Sequence, residues 1–365
     1  MNIYDDERIV MTLDAGGTNF VFTAIQAGKN IVKPFSQPSN GDCLDTCLSN
    51  IISGFERVRK SLTIAPSAIS FAFPGPADYK NGVIGDLPNL PAFRGGVALG
   101  AYLGAHFNIP VYIKNDGDLY AYGEALAGIL PTLNQQLIEQ DQTNRYQNLI
   151  GLTLGTGIGA GIVLNGNLIA GDNGLAAEIW NTPNSISPHQ NAEEGISARA
   201  IIKSFNSNKN VTEDNFTSAD IYKIALNERH QDCDQAKKAF IDFGTHLGDA
   251  MANLMMLFDT SIVLGGGIVT AKSLFMPATM AVLKGKFANG QNRTIQNLYY
   301  IDDAEQKKQF LSTSPSLINA VGHTVKVEYC NSPSLFVATS TIGCNQAVAL
   351  GAYAYALSQL NRLGK

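Results

Sequence analysis

Residues 111–124, VYIKNDGDLYAYGE, carry the carboxylate with the most chemistry open to it. An apolar run stops at Asn115-Asp-Gly-Asp118, and small and aromatic residues then begin a helix whose N-terminus Asp118 is available to cap. Asp116 thereby falls at the carboxyl end of a strand. In open α/β sheets ligands bind outside such ends, so Asp116 is placed to take a proton from a bound hydroxyl. The same residues also fit a plain Asx-turn joining strand to helix.

Two glycine loops offer what a proton acceptor needs beside it. Residues 9–13 are apolar, Asp14-Ala-Gly-Gly-Thr-Asn19 turns the chain, and 20–25 are apolar and β-favouring, which predicts strand, tight turn, strand. Gly16 and Gly17 let backbone N–H groups approach an anion, and Thr18 and Asn19 add side-chain donors; a glycine hairpin without ligand fits as well. The pattern recurs at 149–164, where Gly155-Thr-Gly-Ile-Gly-Ala-Gly161 separates apolar runs and Asn165-Gly166 marks a further turn. A dinucleotide fingerprint must open a helix, and a hairpin signal follows here instead. Two such hairpins predict a duplicated domain, each copy offering Gly16 to Thr18 or Gly155, Thr156 and Gly157 to one phosphate chain.

The elements that must position these loops are legible in part. Residues 43–60 have a helical pattern, and 69–73 run as a strand into Pro74-Gly-Pro76. Asp86-Leu-Pro-Asn-Leu-Pro91 must be a loop, in which Asn89 is either a polar contact for a small ligand or part of a rigid connector. Beyond Gly128 a Gln- and Asn-rich stretch reads as a surface excursion with a short helix. Gly174-Leu-Ala-Ala-Glu-Ile-Trp-Asn181 carries Glu178 and the only tryptophan, and Asn191-Ala-Glu-Glu-Gly-Ile-Ser197, with Glu193, opens a helix through Phe205. Both glutamates also fit surface or capping roles.

The clearest helix is 236–258, with Phe240, Phe243, Leu247, Met251, Leu254 and Phe258 on one stripe. It feeds a strand at 261–264 and then Gly265-Gly-Gly267, a strand end that suits a flat purine close to backbone. GGIVTAKS, from Gly266, is not a P-loop, because Ala271 stands where that pattern needs glycine. Residues 284–331 read as irregular, with strand-like 297–301 and 323–329 and with His323 in a solvated turn. Residues 344–363 read as a helix packing back on the first domain.

Composition bounds the partners. A chain of 365 residues suggests about two domains. A net charge of -5 gives no basic excess for a nucleic-acid backbone or a membrane surface. The acidic amino terminus lacks an apolar signal core and no apolar run reaches the roughly 20 residues of a membrane span, so the expected location is the cytoplasm. Five scattered cysteines predict reduced thiols, with Cys43 and Cys47 an inert pair on one helix face.

Taken together, Asp14-Ala-Gly-Gly-Thr-Asn19, Pro74-Gly-Pro76, Pro88-Asn-Leu-Pro91, Asn115-Asp116 with Gly123-Glu124, Leu154-Gly-Thr-Gly-Ile-Gly159, Ala252-Asn-Leu254 and Val263-Leu-Gly-Gly-Gly267 resemble the ROK family of sugar kinases and repressors, in that family's order. The resemblance implies an α/β protein with the duplicated actin-like ATPase (ribonuclease H-like) fold, two domains with a central cleft. The expected division is a small domain, 1–117, joined by the C-terminal helix 346–365, and a larger one, 118–345. It implies ATP- and Mg²⁺-dependent phosphorylation of a hexose or hexose derivative. Asp116 would be the general base and Asn115 would bind a neighbouring hydroxyl. Asp14 would help hold Mg²⁺ through water, the two glycine loops would hold phosphates, and Gly265, Gly266 and Gly267 would flank adenosine. Asn89, Glu178, Asn181 and Glu193 would meet the sugar.

Two departures accompany the resemblance. Family kinases usually continue Glu-Ile-Gly-His into a cysteine-rich zinc loop, whereas this chain has Glu178-Ile-Trp-Asn181 and no cysteine before Glu193, so no structural zinc is expected. Trp180 adds bulk where glycine is usual, which leaves the sugar open. Family repressors carry a winged helix-turn-helix before the first glycine loop, and only 13 residues precede Asp14, so DNA binding is not expected. The alternative is a catalytically silent sugar-binding or regulatory homologue. The resemblance also implies a homodimer.

Overall fold

A computed structural model describes residues 2–16, 18–75, 77–87, 90–210 and 215–364. The chain begins β1 (Val10–Ala15), β2 (Asn19–Gln26), β3 (Lys29–Asn30), β4 (Phe35–Pro38), α1 (Leu44–Lys60), β5 (Ala68–Ala72), α2 (Leu99–Phe107), β6 (Val111–Lys114), α3 (Asp116–Leu126) and α4 (Ile129–Glu139). It continues β7 (Leu149–Leu154), β8 (Ile158–Leu164), β9 (Asn167–Leu168), α5 (Ala198–Asn208), α6 (Ser218–Leu226), α7 (Cys233–Phe258), β10 (Ser261–Gly265) and α8 (Lys272–Leu283). The last elements are β11 (Asn297–Tyr300), α9 (Ala304–Leu311), β12 (Ser316–Asn319), β13 (Lys326–Tyr329), β14 (Ser334–Thr339) and α10 (Cys344–Arg362). By their contacts they form two units: Met1–Pro131, Ala160–Ala177 and Thr341–Lys365 in one, Thr132–Gly159 and Glu178–Ser340 in the other.

In the first unit β1 and β2 make the expected antiparallel hairpin, with Asp14 opposite Val21, and β5 and β6 extend the sheet in parallel. The strand order is β3-β2-β1-β5-β6, with β4 paired to β2. Helix α1 forms where Cys47, Ile51, Phe55 and Val58 recur at helical spacing and are buried in one core with Met11, Phe20, Phe22 and Phe71. Gly54 on that face admits the Phe22 ring, which a Cβ would overlap, and Phe22 meets Phe55 edge-on at 5.2 Å between centroids. Helix α10 lies along α3 at backbone contact, because Gly123 and Gly351 have no side chain; a Cβ on either would run into the carbonyl of Ala347 or of Leu119. By these contacts α3, whose first turn contains the 117/118 boundary expected from sequence, sits with the first unit.

In the second unit β7, β10, β14 and β11 run parallel, in the order β11-β14-β10-β7. Helix α7 buries Phe240, Phe243, Leu247, Met251 and Leu254, and α8 packs on it across Gly244 and Gly248. A Cβ at Gly248 would stand 2.7 Å from the Thr279 carbonyl oxygen, and the Thr279 hydroxyl donates to the Gly244 carbonyl at 3.0 Å. Every cysteine is a free thiol, with Cys47 buried and Cys43 exposed. No helix among the described residues is long and apolar enough to cross a membrane.

Some sequence expectations need correction. Asp118 does not cap α3; Asn115 does, accepting from the Gly117 N–H at 2.8 Å, because it is the last extended residue, while Asp118 lies buried within the first turn. The Gln- and Asn-rich excursion is not all surface, since Leu130, Leu133 and Leu137 of α4 are buried. The helix expected from Asn191 begins only at Ala198, capped by Ser197, after a short 3₁₀ turn at Ala192–Glu194. The irregular stretch 284–331 contains α9, capped by Asp303. Residues 267–271 form a 3₁₀ turn, and the Lys272 ammonium pairs with Asp302 and donates to the Thr339 hydroxyl at 3.0 Å, so its charge is spent on the fold.

Candidate active site

Strand β6 and the N-terminus of α3 hold Asp116 at the first helical residue, with its side chain exposed. Its Oδ1 accepts from the Gly117 N–H at 2.9 Å. A Cβ at Gly117 would be 2.7 Å from the Ala160 carbonyl oxygen, so glycine lets the start of α3 close on β8 and fixes the Asp116 backbone. Asn115 is largely committed to structure: its Oδ1 caps the helix, and its Nδ2 donates to the Tyr79 hydroxyl at 3.4 Å. Tyr79 in turn donates to the Phe73 carbonyl at 2.9 Å. One amide hydrogen of Asn115 remains for a ligand.

Asp14 on β1 and Asp116 line one cavity of about 380 Å³, together with Thr12, Phe73, Asn345 and Gln346. Crowding by the protein around it, and after that the like charge of Asp116, raise the Asp14 pKa above its ordinary value. The two carboxylates are therefore electrostatically coupled although both are reached by solvent. Asn345 and Gln346, at the start of α10, were invisible to sequence reasoning. The one local signal is Gly343, which takes a φ of 82° immediately before the helix.

The glycine loops are turns of different construction. In the first, the Gly16 N–H donates to the Asn19 carbonyl at 3.1 Å, and a Cβ at Gly16 would approach that oxygen to 2.9 Å. Thr18 and Asn19 are exposed beside it. Gly17 and Asn89 lie outside the described residues. In the second, the Gly155 N–H donates to the Gly157 carbonyl at 3.0 Å, Ala198 at the start of α5 donates to the Gly155 carbonyl at 2.9 Å, and Thr156 is exposed. Gly265 ends β10; Gly266 takes a φ of 92° with its α-carbon against the Leu154 backbone, and Gly267 has open space beside it.

Two glutamates of the second unit have dedicated partners that sequence gave no hint of. Glu193 Oε2 accepts from the Ile158 N–H at 3.3 Å and Oε1 from Arg199 at 2.7 Å. Gly157 backs directly on this carboxylate, which a Cβ there would overlap. Glu178 accepts from the Trp180 indole N–H, and Asn181 is exposed. Ala177, just before Glu178, takes a φ of 64°, a conformation that costs a non-glycine residue on the order of 1 kcal/mol and fixes the direction in which Glu178 leaves the backbone. The described residues thus bring Asp14 to Asp116 in one unit and Gly157 to Glu193 in the other.

The ROK family profile matches residues 10–307. The chain belongs to the ROK family. A glucokinase from Halalkalibacterium halodurans is 29% identical over 181 residues, 47% of this chain and 49% of that protein. A xylose repressor from Caldicellulosiruptor bescii is 30% identical over 134 residues, 35% of this chain and 30% of the repressor. The chain spans about half the length of the curated relatives it matches. Among solved structures, a glucokinase from Parabacteroides distasonis superposes with a TM-score of 0.89 at 44% identity, covering 99% of this chain and 100% of that one. The fold is the duplicated actin-like ATPase fold of ROK sugar kinases.

Proposed function

We propose that this protein transfers the γ-phosphoryl group of ATP to a hydroxyl of a hexose or hexose derivative, with Asp116 as general base. The observation that carries the reading is the solvent-reached Asp116 carboxylate at a helix N-terminus, sharing its cavity with Asp14. As the sugar oxygen bonds to the γ-phosphorus, its proton passes to Asp116, the bond from phosphorus to the bridging oxygen breaks, and ADP leaves. An exposed carboxylate at the first residue of a helix is open to a bound hydroxyl and fit for this task. Turns at Gly16 to Thr18 and Gly155 to Gly157 would take phosphate oxygens on backbone N–H groups, and Gly265 to Gly267 would flank the adenosine. Glu178, Asn181, Glu193 and the remaining amide hydrogen of Asn115 would meet sugar hydroxyls. Asn89 keeps its place in the proposal from sequence alone.

Magnesium fits the donors present. Asp14 offers hard carboxylate oxygens that have no hydrogen-bond partner among the described residues, and its pKa is raised by burial and, after that, by the like charge of Asp116, a repulsion that a divalent cation relieves. Asp14 would hold it through water, and bound there it would supply charge neutralisation for the phosphates.

The test is a coupled ADP-release assay over a sugar panel, run beside Asp116→Asn; no turnover on any sugar despite ATP binding would overturn the reading. A second reading is favoured by the xylose repressor among the relatives: a sugar-binding regulator that transfers no phosphate. It predicts saturable sugar binding that Asp116→Asn leaves intact, with no ADP formed.

A further inference from the structure

Between Glu178 and Glu193 the chain makes a closed clasp, residues 182–192, and something must hold its ends where the two glutamates emerge. Ala192 donates to the Thr182 carbonyl at 2.8 Å, Pro183 bridges Asn191, and the Asn184 N–H donates to the Gln190 carbonyl at 3.0 Å. The 3₁₀ turns Ile179–Asn181 and Ala192–Glu194 pack on each other at its base. At its centre Asn184, 5% exposed, gathers three donors on one oxygen: the Ile186 N–H at 3.1 Å, the Ser187 N–H at 3.0 Å and His246 Nδ1 at 3.1 Å. Two backbone donors identify that atom as the amide oxygen, so His246 must carry its proton on Nδ1. His246 stands on α7, and Gly195 lies against its ring with no room for a Cβ. One turn further along α7, Asp249 accepts from Ser185 and pairs with Arg293, which ties the outer side of the clasp to the same helix.

We infer that Asn184, anchored by His246, is the positioning residue of this segment: it fixes by hydrogen bonds on α7 the two points from which Glu178 and Glu193 depart. The segment contains no cysteine, so thiolate ligation cannot organise it, and a buried amide oxygen with three donors supplies a fixed point by another chemistry. The kinetic consequence rests on the sugar-kinase reading; the structural one does not.

Trp180 makes the structural half measurable, because it is the only tryptophan of the chain, lies inside the segment, and donates to Glu178. Asn184→Ala removes the common acceptor, His246→Ala removes one donor, and His246→Asn keeps an amide N–H close to the Nδ1 position. The measurements are Trp180 emission and acrylamide quenching without sugar, then sugar and ATP KM, with far-UV circular dichroism as the check on folding. Asn184→Ala and His246→Ala should red-shift the emission and increase quenching. Their sugar KM should rise roughly tenfold or more, with ATP KM within about twofold, and His246→Asn should recover most of both. If Asn184→Ala does not fold, the comparison of His246→Ala with His246→Asn stands alone. Unchanged emission and quenching in His246→Ala would overturn the inference, as would equal rises in sugar and ATP KM. Absence of turnover by the unaltered protein, with the spectral changes present, would count against the kinase reading and leave the positioning role supported.

Discussion

Gly157→Ala puts the contact between the second glycine loop and Glu193 to a quantitative test. The new Cβ would overlap a carboxylate that is the far end of a flexible side chain, so the cheap response is for Glu193 to swing away rather than for β7 and β8 to move. Swinging gives up the bond from the Ile158 N–H at 3.3 Å and strains the one from Arg199 at 2.7 Å. A hydrogen bond to a charged group contributes about 1.5–3 kcal/mol, and Arg199 is exposed enough to follow the carboxylate, so the Ile158 bond carries the loss. If Glu193 must hold that position for the sugar, kcat/KM for sugar falls about 10- to 150-fold, since each 1.36 kcal/mol is tenfold. Stability should change by less than about 2 kcal/mol, because the displaced group remains in water. The assay is ADP release against sugar concentration for Gly157→Ala, Glu193→Gln and the double variant. The double variant should be no worse than Glu193→Gln, because both changes remove one interaction. Full activity in Gly157→Ala, or losses that multiply in the double variant, would refute the coupling.

Other consequences follow from packing and charge. Gly351→Ala should destabilise by about 1–3 kcal/mol in chemical denaturation, since its Cβ would meet the Leu119 carbonyl on α3; an unchanged midpoint would mean that the helices are not in backbone contact. His246 is held below its ordinary value of 6.5 by burial, which outweighs the nearby Asp242 and Asp249 charges. The unfolded chain therefore takes up this proton first, and stability is lost as pH falls below about 6.5 until the folded imidazole also protonates. Denaturation curves between pH 7.5 and 5 should show that loss flattened in His246→Asn, and equal slopes would assign it elsewhere. Metal analysis should find no stoichiometric zinc, because no cysteine lies between Asn181 and Glu193; one zinc per chain would contradict that expectation.

The hairpins, the long helix α7 and the strand preceding Asp116 were legible because each depends on local pattern: apolar alternation, glycine turns, a 3.6-residue stripe. The glycines that mattered most were not. Gly123 and Gly351 look like ordinary helix residues, and only the contact of α3 with α10 shows why neither can carry a side chain. Asp118 is a capping residue by type, yet Asn115 caps the helix because the extended backbone ends there. The partners of Glu178 and Glu193 were hidden for a different reason. Trp180, Arg199 and the Ile158 N–H reach them through 3₁₀ turns and a loop, where sequence separation does not give direction. Asn184, in a stretch read only for its missing cysteines, proved to be the buried centre of its segment.

The central claim, that Asp116 accepts the sugar proton, is tested most directly by the rate of ADP formation for Asp116→Asn against the unaltered protein at saturating ATP and sugar. Asparagine keeps the shape and can still accept from the Gly117 N–H, but it has no carboxylate to take the proton. Loss of general-base catalysis should lower kcat by about 10²- to 10⁴-fold with sugar binding retained. Equal rates for the two proteins would remove Asp116 from the chemistry and contradict the account.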